Sequence, residues 1–214
     1  MSLWPDYSAH KLHTVAAEPR SELWRLVAGV VAMVAVYVLL SLFYQQAISE
    51  LTRFRPQFTD ELIAGSTPSA MYVLLFSFGL ISLSVFIVVR LLHKRAALSV
   101  FGPTILAAPQ FFRVFTAMLV LAAVLMILPP YGYGVPSVPN MAFGLWALVL
   151  PLSLIAVFVQ ISAEEIFFRG YLQQQLAARF ASPWIWMVLP SVLFALGHYQ
   201  PVEAGQNAVM ITVW

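Results

Sequence analysis

The chain has no cysteine, which excludes disulfides, thiolate metal sites and cysteine nucleophiles and leaves oxygen and imidazole chemistry. Charge is almost as scarce: 9% of its 214 residues are Asp, Glu, Lys or Arg, against about 25% in an ordinary soluble domain. The HExxH pattern of zinc proteases and the GxSxG pattern of serine hydrolases are both missing. Residues 1–22 (MSLWPDYSAHKLHTVAAEPRSE) are polar and lack the apolar core and small-residue cleavage site of a signal peptide. The first apolar run is therefore expected to stay in place as an anchor. No internal repeat or low-complexity tract is present.

What the chain does have is apolar surface: 61% of it is hydrophobic and its mean hydropathy is +0.86. A soluble fold cannot hide that much. A bilayer can, because about 20 apolar residues in a helix cross its hydrocarbon core with every backbone hydrogen bond made internally. Five runs stand out, at 23–48, 69–92, 111–128, 141–160 and 184–198, and the first four are long enough to span. The expected architecture is an all-α, polytopic transmembrane bundle of about five spans, and the lipid bilayer is its first partner.

The net charge of +2 does not point to nucleic acid, because the Lys and Arg residues are scattered through loops instead of forming a stripe. Lys11, Arg20 and Arg25 lie near the amino terminus, and Arg90, Lys94, Arg95 and Arg113 lie around the second connection. By the positive-inside rule both regions are expected on the cytoplasmic side. His10, His13 and His93 fall in these polar or basic flanks and are expected to be solvated.

Residues 141–180 cannot be one simple span, because forty helical residues reach about 60 Å, twice the hydrocarbon thickness. The first half is apolar, with a possible kink at Pro151. The second half, EEIFFRGYLQQQLAARF, is amphipathic and is expected to face protein, water or the interface. Ala181-Ser182-Pro183 reads as a turn into the next helix.

Two adjacent glutamates beside an apolar run are costly, about 2.5–3.5 kcal/mol for an acid at the centre of a membrane helix. Glu165 and Arg169 stand four apart with the acid first, the favourable order for a same-face ion pair. Glu164 is rotated about 100° away and stays free to act as a base. Across the turn, antiparallel helices would bring Glu164 and His198 to within about 3 Å of the same height. Phe194 sits one turn before His198.

The run Glu164-Glu165-Ile166-Phe167-Phe168-Arg169-Gly170 resembles the EExxxR motif of the CPBP family of intramembrane endopeptidases, which includes prenyl-protein CAAX proteases, bacteriocin-processing enzymes and Abi-like proteins. Phe194-Ala195-Leu196-Gly197-His198 is similar to its FxxxH motif, and Phe101-Gly102 to a weaker feature. The resemblance implies metal-independent, glutamate-dependent peptide hydrolysis without a cofactor. Glu164 and His198 would activate water, with Glu165, Arg169 and Phe194 in support. It also implies a peptide or protein substrate, with or without a lipid, and residence in a bacterial cytoplasmic membrane with the amino terminus inside.

Residues 1–22 then form an amino-terminal cytoplasmic segment, 23–140 the leading spans and 141–214 a partial protease core. The family adds later helices bearing a further His and an Asn. The apolar ending ITVW reads as the start of such a helix.

Other readings compete. A metal site could draw on Glu164, His198 and Glu203, but no second histidine stands nearby. A serine hydrolase would need Ser162 or Ser191 with a base that the sequence does not identify. A non-catalytic immunity or scaffolding protein would keep the helical shell without the chemistry, and a transporter would also use intramembrane acids.

Overall fold

The structure is a computed structural model that describes residues 7–129 and 141–199, and every regular element among them is helical. Residues 7–20 form short helical turns, including α1 (Lys11–Thr14). The first span, α2 (Leu23–Phe54), is 32 residues long, about 48 Å and so longer than the hydrocarbon core. Its far end stays helical past the expected limit of residue 48, supported by side-chain pairs Gln46–Glu50 at 3.1 Å and Glu50–Arg53 at 2.9 Å.

The chain reverses through α3 (Gln57–Ala64), which ends on Gly65 in the left-handed region at φ +59°. The Thr67 hydroxyl then accepts from the Ala70 amide, with Pro68 in the first turn, and starts α4 (Pro68–Ser77). After a one-residue break at Phe78, α5 (Gly79–Leu91) completes the second span.

A 3-10 turn (Ala97–Phe101) and Gly102, at φ +68°, lead into α6 (Thr104–Ile127). This helix takes in residues 104–110, expected as loop, and carries Pro109 inside it. The fourth span begins as α7 (Phe143–Glu165), widens into a π-helical stretch (Ile166–Gln173) and closes as α8 (Gln174–Arg179). Its helix runs on through Pro151. The return consists of a second π-helical stretch (Trp184–Val188) and α9 (Leu189–Gly197).

Among the described residues four helices are long and apolar enough to cross a membrane, with Trp184–Gly197 as a shorter fifth. The chain is an integral, multi-pass membrane protein. The Pro-rich linker after Leu128 and the ITVW ending lie mostly or wholly outside the described residues.

Inside the membrane, α2 packs on α5, and α7 packs on α4 and α5. Tyr72 of α4 donates to the Val149 carbonyl at 3.0 Å and lies 3.1 Å from the Ser153 hydroxyl, which joins α4 to α7 by a polar contact. The dense core lies at the end that carries residues 7–20, where Leu26, Val88, Val100, Ile166, Tyr171 and Trp186 meet.

A buried polar layer occupies the same end, and it corrects the expectation that the three histidines are solvated. His93 is 2% exposed. One of its ring nitrogens lies 2.9 Å from the Tyr171 hydroxyl and the other 3.1 Å from the Gln175 amide nitrogen. With Gln175 donating to Nδ1, the ring proton belongs on Nε2. Burial, then the nearby Arg95, push the His93 pKa down to about 4, so the ring is neutral at neutral pH.

Arg20 and Arg25 donate to the carbonyls of His93 and Leu92, at 2.9 and 3.3 Å, and so place cations at the carboxy-terminal end of α5. Gln174 is fully buried and satisfied on both sides. It accepts from Arg95 and donates to the carbonyls of His13 (2.6 Å) and Ser99 (3.0 Å). Two of the three glutamines that make the sequence look amphipathic, Gln174 and Gln175, thus belong to a protein-facing surface.

Candidate active site

Glu164 and Glu165 close the last α-helical turn of α7, and Arg169 follows in the first π-helical turns. The expected ion pair is present, with Glu165 Oε1 at 3.4 Å from Arg169 Nη1. At that distance it is a charge contact, and the buried Nη1 has no hydrogen-bond partner. The Arg169 guanidinium also lies over the Phe194 ring, 4.9 Å from its centroid.

Phe194 joins the two motifs. Its ring meets Phe168 edge-on at 5.2 Å and the His198 imidazole at 4.4 Å. Its carbonyl lies 2.9 Å from His198 Nδ1. Only a protonated Nδ1 can donate to that carbonyl, so the neutral ring keeps its lone pair on Nε2. His198 is exposed and sits at the carboxy-terminal cap of α9.

Glu164 is half-buried and has no hydrogen bond or ion pair among the described residues. It makes no direct bond to His198. The Phe168–Phe194 contact sets the antiparallel register of the two helices, and one turn farther from the connecting turn on each side come Glu164 and His198.

The faces of this helix differ. Glu165, Arg169 and Ser162 border a cavity of about 370 Å³, walled by Phe101, Phe111, Phe158 and His13. Glu164 is not among its lining residues. A larger cavity of about 600 Å³ between α2, α3 and α4 holds none of these groups, and the chemistry favours the smaller one. Among the described residues no three His, Asp or Glu converge as metal ligands, and Glu203 lies outside them.

Sequence reasoning missed His13. Its Nε2 lies 3.3 Å from the Arg169 carbonyl, and the ring borders the cavity. Burial first, then Arg95, lower its pKa. The one nearby signal was Phe101-Gly102: Phe101 walls the cavity, and Gly102 backs onto the His13 ring.

Comparison with known proteins converges on the same region. Residues 142–214 match the family model "Type II CAAX prenyl endopeptidase Rce1-like". Over 200 residues the chain is 26% identical to the uncharacterized protein YyaK of Bacillus subtilis (strain 168), across 90% of this chain and 66% of that protein. The chain therefore spans slightly less than two thirds of that relative's length. No solved structure matches it.

Proposed function

We propose that this chain, whose residues 142–214 match the type II CAAX prenyl endopeptidase family, contributes the water-activating half of an intramembrane endopeptidase site. The observation that carries the reading is the joining of the EExxxR and FxxxH segments through Phe168, Arg169 and Phe194. Two sequence motifs 25 residues apart, from Arg169 to Phe194, share one contact surface.

In this reading Glu164 is the general base and His198 Nε2 accepts the second hydrogen bond of the water. As the water oxygen adds to the scissile carbonyl carbon, its proton passes to Glu164. When the C–N bond breaks, Glu164 returns that proton to the leaving amine. Glu165 pairs with Arg169, and the pair supports the site by holding the Arg169 guanidinium against the Phe194 ring.

The apolar cavity beside them suits a substrate that reaches the site from the membrane, a peptide with or without an attached lipid. The basic residues gathered beside the polar layer favour a cytoplasmic amino terminus. The likeness to a Bacillus protein favours a bacterial membrane.

The test uses the full-length protein in nanodiscs with a membrane-tethered peptide, presented with and without a farnesyl group. Glu164→Gln should lower turnover by about 10²–10⁴-fold. Unchanged turnover would remove Glu164 from the mechanism. A biological phenotype that survives both Glu164→Gln and His198→Ala, with insertion intact, would favour the non-catalytic reading.

A further inference from the structure

Residues 7–20 do more than precede the first span. Tyr7 meets the Trp186 ring edge-on at 5.1 Å, and His10 stacks on it at 4.6 Å with 16° between planes. Three residues later the His13 carbonyl accepts from Gln174 and the His13 ring reaches the Arg169 carbonyl. The segment therefore ties together the two π-helical stretches, one bearing Arg169 and the other leading into α9 and His198.

The seat of the His13 ring is built to fit. A Cβ on Gly102 would come within 2.9 Å of His13 Nδ1, and the positive φ of Gly102 already disfavours any side chain there. A carbonyl can only accept, so the ring must donate to Arg169 from Nε2, which leaves Nδ1 unprotonated against Gly102. The π-helical turn that holds Arg169 thus gains an outside anchor. Gly170 is the next residue, and a Cβ there would come within 3.0 Å of the Val100 carbonyl, so the backbone of this turn is pressed against the Ala97–Phe101 turn as well.

We propose that His13 is a positioning residue of the endopeptidase site: seated on Gly102 and bonded to the Arg169 carbonyl, it fixes the turn that aims Arg169 at Glu165 and Phe194. The amino-terminal segment is then a structural part of the site. This rests on the endopeptidase reading, and it concerns how the site is held, not which groups react. The charged and titratable groups around the ring are His10, Arg95, Arg169 and Glu165, and a neutral imidazole is the form that adds no further cation to them.

The experiment compares His13→Ala and His13→Gln in the full-length protein in nanodiscs. Glutamine places an amide N–H near where Nε2 stands. Two readouts are taken, kcat and KM for the tethered peptide, and amide hydrogen exchange across residues 166–176. His13→Ala should lower kcat about tenfold with KM little changed, and speed exchange about tenfold. His13→Gln should recover most of both. Unchanged kcat and exchange in His13→Ala would overturn the proposal, as would a glutamine variant as impaired as the alanine one. If the wild-type protein cleaves neither peptide form, the endopeptidase reading fails alone. Exchange then decides the anchoring: acceleration in His13→Ala reversed by glutamine supports it, and its absence overturns it.

Discussion

The long helix Phe143–Arg179 has two halves that follow different rules. From Phe143 to Glu165 it buries only Ala156 and Ala163. From Ile166 to Arg179 it buries Ile166, Gly170, Tyr171, Leu172, Gln174, Gln175 and Leu176. In the first half large apolar side chains lose nothing by facing lipid, since acyl chains are as apolar as leucine, so contact between helices falls to small residues. In the second half polar side chains must find partners within the protein, and they do so by closing on residues 7–25 and 92–102. The tight packing of this bundle lies at one end, where large apolar side chains and buried hydrogen bonds meet, while the rest of the apolar runs set its place in the membrane.

That contrast can be broken at several points, beginning with acid. An unfolded histidine titrates near 6.5, whereas folded His93 resists protonation until about pH 4. Between these values the unfolded state binds more protons. The stabilisation is thus complete above pH 6.5 and is lost as pH falls toward 4, by up to about 3 kcal/mol. His10 and His13 act in the same direction. Thermal unfolding in micelles should show this slope, and His93→Gln should flatten it. An equally steep slope in that variant would locate the acid sensitivity elsewhere.

Next come two glycines. A Cβ on Gly29 would overlap the Tyr171 hydroxyl, and Tyr171 is fully buried with no room to yield. Gly29→Ala should cost about 2 kcal/mol by overpacking. On the lipid-facing half, a Cβ on Gly144 meets nothing within 4 Å, so Gly144→Ala should stay within about 0.5 kcal/mol of wild type. Equal effects in the same micelle assay would erase the difference between the halves.

Removing one hydroxyl is a finer probe. Tyr171→Phe strips His93 Nε2 of its partner and should cost about 1–2 kcal/mol. The smallest effect is expected on α6, which buries no residue: Val114→Ala should change the midpoint of unfolding by less than about 0.5 kcal/mol equivalent.

The spans were legible because hydropathy over 20 residues is a local property, and it placed all four of them along the chain. Their ends were less so. α2 outruns its apolar stretch because polar pairs at i, i+3 and i, i+4 continue the helix beyond residue 48, and α6 begins seven residues early and carries Pro109 inside it. Of the site, the Glu165–Arg169 pair and the nearness of Phe194 to His198 were readable, since both depend on spacing within a helix. The buried histidines were not. His93 meets Tyr171 across 78 positions and His13 meets Arg169 across 156, and no periodic signal connects such partners. A histidine in a basic flank looks the same whether it faces water or a distant glutamine.

The span of 156 positions between His13 and the Arg169 carbonyl also bears on how the protein is made. Synthesis delivers residues 7–20 well before the helix that receives them. Until the fourth span has been inserted, His93 lacks Tyr171 and Gln175, the arginine-capped end of α5 has only part of its cover, and the leading segment has only the end of α5 and Gly102 to dock on. The polar layer must therefore close late in biogenesis, after the hydrophobic spans have already settled. A chain stalled before Tyr171 would present quality-control proteases with an open, hydrated edge.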